Sequence, residues 1–200
     1  MRVLLKLMLA LILLLASLAH GYTLTELEAQ LRAAKVVRGE FVQEKFLRSL
    51  PRPLTSRGHF ILASGKGLLW SLRKPFAQDL RITEQGISRR DRGGNWTPVA
   101  QQAFASRESR LFLAVLAGDT HELQASFDIT LSGTPQSWHM ELTPVSALLS
   151  QVFNRISIEG GATVTQIELL EAQGDKTVLH LQHTQIDQTL SAEETLAYAD

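Results

Sequence analysis

The 200-residue chain contains no cysteine. That absence removes disulfide scaffolds, thiolate zinc sites and cysteine nucleophiles at once. Aromatic residues make up only 6% of the chain. There is also no surplus of either charge. Twenty Lys and Arg face 20 Asp and Glu, so the chain lacks the basic excess with which nucleic-acid binders neutralise phosphates. The usual catalytic signatures are missing too. No G-x-S-x-G elbow presents a serine, and Gly65-Lys66-Gly67 has the spacing of a hairpin turn rather than of a phosphate loop. His180 and His183, three apart on an expected strand, point to opposite faces and cannot clasp one metal. His59, His121 and His139 stand apart from them, and no pair of acids marks an acid/base couple. No catalytic residue, metal site or cofactor is expected.

Apolar residues are present, but unevenly. The mean hydropathy of +0.01 averages a leader with a very different remainder. Arg2 and Lys6 introduce a block of Leu, Ile, Met and Val running to Leu18, with small residues at Ser17, Ala19 and Gly21. This is the layout of a secretory signal, with residues 1–21 cleaved. The apolar run is short of the ~20 residues that span a bilayer comfortably. No cysteine follows it to carry a lipid. Residues 22–200 then form one domain with 18 Lys and Arg against 20 Asp and Glu, stabilised by packing alone.

Thr23-Leu24-Thr25-Glu26 has the capping-box pattern, and Leu24, Leu27, Leu31 and Ala34 follow at helical spacing. The spacing predicts one helix ending near Val37 to Gly39. Beyond it the period becomes two. Phe60 and Leu62, then Leu68, Trp70 and Leu72, then Leu80 and Ile82, lie on short runs separated by Pro51, Pro53, Gly65 to Gly67, Pro75 and Gly86. From Ser106 the pattern turns helical, with Leu111, Phe112, Val115 and Leu116 on one face, Gly118 at the C-terminal glycine position, and Asp119 with Glu122 as a new cap. Strands resume through Phe127, Ile129 and Leu131, and through Trp138, Met140 and Leu142. Pro144 is placed at the start of a short helix carrying Leu148 and Leu149. A run with Ile156 and Ile158, one with Thr163, Thr165, Ile167 and Leu169, and Val178 to His183 complete the sheet, and Ser191 to Ala199 is again helical. The expected class is α+β, mainly antiparallel β, with about eleven strands and helices covering a curved sheet.

Several local features, in order, resemble one family. They are Phe41-Val42-Gln43 after the first helix, Gly58-His59-Phe60, Trp70 followed by Pro75, Gln85-Gly86, Leu116-Ala117-Gly118-Asp119, Phe127, Trp138, Leu142-Thr143-Pro144, Ile156 and Ile167. Together they are similar to the LolA-like family, periplasmic carriers of outer-membrane lipoproteins. The resemblance implies an open, incomplete β-barrel covered by helices, whose apolar interior shelters acyl chains of a lipoprotein or another lipid in the periplasm. It also implies an inner-membrane exporter and an outer-membrane acceptor as partners, and a monomer is expected. Where the family carries an Arg before a Pro that holds the lid, this chain has Ser64 and Gly65, so its gate would work differently. On that template Phe41, Phe60, Leu62, Trp70, Phe127, Trp138 and Met140 are the expected lipid-binding residues, with Leu111, Phe112, Val115, Leu148 and Leu149 on the lid helices. A periplasmic sensor or regulatory interaction module on the same fold is the alternative.

Overall fold

A computed structural model describes residues 21–99 and 112–199. The chain opens with helix α1 (Leu24–Ala33), followed by strands β1 (Val36–Phe46), β2 (Leu54–Ala63), β3 (Gly67–Lys74), β4 (Gln78–Thr83), β5 (Gly86–Arg90) and β6 (Trp96–Pro98). Residues 112–117 are helical (α2). After them come α3 (Thr120–Gln124), β7 (Phe127–Thr134), β8 (Ser137–Pro144), α4 (Ala147–Ser150), β9 (Phe153–Gly160), β10 (Val164–Glu171), β11 (Lys176–Asp187) and α5 (Ala192–Tyr198). The expected leader, residues 1–20 of it, and Leu111 lie outside the described residues.

All eleven strands join one antiparallel sheet in the order β6-β5-β4-β3-β2-β1-β11-β10-β9-β8-β7. Each half is a meander, β1 to β6 on one side and β7 to β11 on the other. They meet where β1 pairs with β11, from Val36 opposite Asp187 to Phe46 opposite Lys176. The two outermost strands do not pair with each other, so the sheet curls without closing. A bulge between Arg38 and Glu40, beside which His183 takes φ +50°, bends the long central pair. The alternation of the sequence decides which side is concave. Phe60 pairs with Trp70, Leu62 with Leu68, Leu68 with Ile82, Met140 with Ile158 and Ile158 with Ile167. Apolar pairs therefore recur from β2 to β4 and from β8 to β10, and their buried members form a single core cluster with Leu27 and Leu31 of α1 and Leu113 to Leu116 of α2.

The α+β class with one large antiparallel sheet is as the periodicity predicts, and the open barrel is as the resemblance implies; three local boundaries differ. Helix α1 stops at Ala33, and Val36 and Val37 belong to β1. Both are β-branched and buried, and pairing with Ala63 and Leu62 of β2 outweighs any continuation of the helix. Pro144 is the last residue of β8, opposite Phe127, rather than the start of a helix. The cap of α4 is Ser146, whose hydroxyl accepts from Leu149 N. Thr163 precedes β10 instead of lying on it.

Candidate functional site

The interior is organised around Trp70. Phe41 of β1 stacks on it with ring centroids 3.7 Å apart and planes 19° from parallel, Phe60 lies 6.4 Å away, and Phe112 of α2 meets it edge-on at 5.8 Å. Gly58 of β2, directly opposite Phe41 in the ladder, leaves the space that the Phe41 ring occupies. Helix α2 thus covers the concave face through a contact between one aromatic ring and the stack beneath.

The structure distributes the expected lipid-binding residues unevenly. Phe41, Phe60, Trp70, Phe127, Trp138 and Met140 are all buried, and Leu62 is half-buried. They share one apolar cluster, to which Leu62 is a flanking member, but do not gather at one opening. Trp138 lies over Gly160 and its indole N–H donates to Gly161 O at 2.8 Å, so it is pinned to the β9–β10 turn. Among the lid residues, Val115 is buried, Phe112 is half-buried against Trp70, and Leu149 of α4 is buried. Leu148 is turned outward, 54% exposed.

An open cavity of about 840 Å³ lies at the end of the half-barrel where α1 runs into β1. Its apolar wall is Leu31 and Ala34 of α1, Leu62 and Ala63 of β2, and Leu113 and Ala114 of α2. Ser64 to Gly67 of the β2–β3 turn and Thr83 to Gln85 of the β4–β5 turn form its lip. Ser64 and Gly65 therefore sit at the mouth. Only Leu62 of the seven expected lipid-binding residues lines this cavity. Leu31 could have been found from its helical phase; Ala34, Ala63 and Ala114 could not, because a small side chain carries no signal of what lies beside it.

Charge around the mouth is mixed. Arg32 is held by Glu28 at 2.8 Å, and Glu28 also accepts from Thr120 Oγ1 at 2.5 Å, which ties α1 to α3. Gly118, at φ +67°, lets the chain turn from α2 into α3 against Leu31, where a Cβ would meet the Leu31 side chain at 2.8 Å.

The lip is fixed from outside by α5. Arg38 on β1 donates to Glu194 through Nε at 2.6 Å and Nη2 at 2.5 Å, to Asp187 through Nη1 at 2.5 Å, and to Thr189 O. The Arg38 hydrogen bonds hold the Glu194 carboxyl down at about 2, against an opposing effect of burial. Tyr198 Oη donates to Ile61 O at 2.6 Å and lies 3.2 Å from Gly67 O. Burial raises its pKa well above the usual phenol value. Arg81 Nη1 donates to Ala199 O at 2.6 Å. The C-terminal helix is thereby strapped across β1, β2 and the start of β3.

Among the described residues no group of three or more His, Asp or Glu could hold a metal. No helix among them is long and apolar enough to cross a membrane. What the arrangement offers is an apolar interior, a helical cover and an opening.

The family model described as outer membrane lipoprotein carrier protein LolA matches residues 32–194. The chain belongs to the LolA family. That family binds or carries rather than catalyses. Among solved structures, a chain of the Pseudomonas aeruginosa MucA/MucB complex is similar at 14% identity and a TM-score of 0.51, covering 86% of this chain and 59% of that one. A LolA superfamily protein from Nitrosomonas europaea is similar at 8% identity, covering 86% of this chain and 96% of that one, with a TM-score of 0.47. LprF from Mycobacterium bovis is similar at 12% identity, with 84% and 93% coverage and a TM-score of 0.41. No curated protein matches the sequence. At 14% identity the likeness to the MucA/MucB chain speaks to the fold of this LolA-family chain and to nothing finer.

Proposed function

We propose that this LolA-family protein is a periplasmic carrier that shelters the acyl chains of a lipoprotein or another lipid on their way toward the outer membrane. In this reading residues 1–21 are a cleaved leader and residues 22–200 a monomeric carrier domain. An inner-membrane exporter loads it and an outer-membrane acceptor unloads it. The observation that carries the proposal is the open cavity of about 840 Å³, one wall of which is Leu31, Leu62, Ala63, Leu113 and Ala114. Its size falls within the ~300–1,000 Å³ of ordinary ligand sites. An exposed sixteen-carbon chain costs on the order of 12 kcal/mol in water, at ~0.8 kcal/mol per methylene, so transfer between membranes needs a shelter.

Phe41, Phe60 and Trp70 are already packed on one another, so the cavity wall receives the cargo first. The buried rings become accessible only if α2 and Phe112 move aside, a population shift drawn by the cargo itself. Organic extraction of purified protein followed by mass spectrometry should release a stoichiometric acyl lipid, and a fluorescent fatty acid should bind and be displaced by it. Protein that yields no lipid and binds no probe refutes the proposal.

The second reading, a regulatory interaction module, is favoured by the likeness to a chain from a two-protein complex. It predicts a protein partner whose affinity changes with lipid, and retained partner binding when the cavity is blocked.

A further inference from the structure

The sheet is electrically polarised across its width, although the chain as a whole is neutral. Residues 36–99, which form β1 to β6, hold 12 Lys and Arg against 5 Asp and Glu; residues 127–187, which form β7 to β11, hold 2 against 7. Because the strand order keeps each segment on its own side of the β1–β11 seam, one half-sheet is basic and the other acidic.

The basic half also carries apolar side chains for which the fold has no use. At the end of the barrel opposite α1, the β1–β2 turn exposes Phe46, Leu50 and Leu54, and the β3–β4 turn exposes Phe76 at 59%. Leu54 pairs with Lys45 and Arg57 with Lys74, so the two turns emerge at the same end of neighbouring hairpins. Cations surround them. Some are matched: Lys45 by Glu171 at 3.2 Å, Arg73 by Asp79 at 2.7 Å, and Lys176, which lies 5.2 Å over the Phe46 ring, by Glu168 at 3.4 Å. Asp175 accepts from the backbone N–H of Arg48, whose guanidinium donates to Gln173 O at 3.1 Å. Among the described residues, no carboxylate pairs with the side chains of Arg48, Arg52, Arg57 or Lys74. Exposed apolar tips ringed by unmatched cations complement one kind of surface, an interface whose outer layer is anionic and whose depth is hydrocarbon.

We infer that the β1–β2 and β3–β4 turns are a docking face for an anionic phospholipid bilayer, with Phe76 and Leu50 entering the interface and Arg48, Arg52 and Lys74 meeting the phosphates. This places the cavity mouth, at the α1 end, away from the bilayer while the protein is docked. The inference does not depend on what the cavity holds.

The absence of cysteine makes the test direct. A Phe76→Cys variant labelled with an environment-sensitive dye reports from one site only, and Thr134→Cys, at the last residue of β7 and so at the opposite end, is its control. With vesicles containing about one-third phosphatidylglycerol, the Phe76 label should shift to the blue and the Thr134 label should not; vesicles of phosphatidylcholine alone should leave both unchanged. In co-sedimentation, Arg52→Glu with Lys74→Glu should weaken binding to the anionic vesicles about tenfold or more, as should Leu50→Ser with Phe76→Ser. High salt should weaken it as well. These positions are exposed, and unchanged thermal melts will establish that the variants fold. No shift with either vesicle, equal shifts at both labels, or binding indifferent to lipid charge overturns the inference. So does concentration-dependent self-association abolished by Leu50→Ser with Phe76→Ser, which would assign the face to a second copy of the chain.

Discussion

The stack of Phe41 on Trp70 exists because position 58 has no side chain, and replacing Gly58 by alanine tests that directly. A Cβ there would overlap the Ser71 carbonyl oxygen and lie 2.7 Å from Phe41 Cε1 and 2.8 Å from Phe41 Cζ. The ring could turn aside at the expense of its contact with Trp70, but the carbonyl belongs to β3 and can move only with its strand. Overpacking costs about 1–3 kcal/mol, and a clash with backbone belongs at the upper end, about 3 kcal/mol. For a domain of this size each kcal/mol lowers the melting temperature by about 2–4 °C, so Gly58→Ala should melt about 6–12 °C lower. Gly65→Ala provides the contrast. Its Cβ meets nothing within 4 Å, but φ is +71°, and the left-handed backbone alone should cost about 1 kcal/mol, or about 2–4 °C. Circular dichroism melts give both numbers, and tryptophan emission should change in Gly58→Ala as the stack opens. A Gly58→Ala protein that melts no lower than Gly65→Ala would show that β2 and β3 have slack there, and the account of the stack would fail.

Three other perturbations address the strap and the mouth. Glu194 has its pKa lowered to about 2 from the ordinary 4.5, so its contribution is complete above about pH 4.5 and is lost as pH falls toward 2. Urea midpoints across that window should show about 1–2 kcal/mol of acid-dependent loss that Arg38→Met removes; an identical pH profile in the variant would refute the pairing. Tyr198→Phe strips a buried donor from Ile61 O and should cost about 1 kcal/mol by chemical denaturation, with no loss ruling out the strap. Leu62→Trp adds bulk at the cavity wall; it should lower the binding capacity for a fluorescent fatty acid while leaving the melting temperature within about 3 °C, and unchanged capacity would place the acyl chain elsewhere.

Much of the fold was legible because antiparallel strands with one wet face write their alternation into the sequence. That Phe60, Trp70 and Met140 share strand faces with their alternate neighbours follows from period two, and they pair with Trp70, Phe60 and Ile158 across the ladder. Caps were legible for the same local reason: Thr23 with Glu26 and Asp119 with Glu122 each form as spaced. The end of α1 was not, because Ala34 to Val37 satisfies a helical stripe as well as a strand, and only the partners on β2 decide. The cavity was least legible. Its wall is made of Leu31, Ala63 and Ala114 from three separate elements, and no local pattern distinguishes an alanine packed against a neighbour from one beside an empty space. Aromatic residues drew attention to the interior, while the opening lies where side chains are small.

The seam between β1 and β11 sets the order in which such a chain can be completed. Either meander can assemble from neighbours in sequence, but Phe41 must wait for Leu181, a loop closure across most of the domain, and contacts of that span slow folding. Synthesis delivers β11 after every other strand of the sheet, so until then β1 and β10 each present a raw edge. A product truncated before residue 176 would keep both edges permanently, and unpaired strands of that length recruit other chains. The same seam that joins the two halves makes β11 the guard against aggregation.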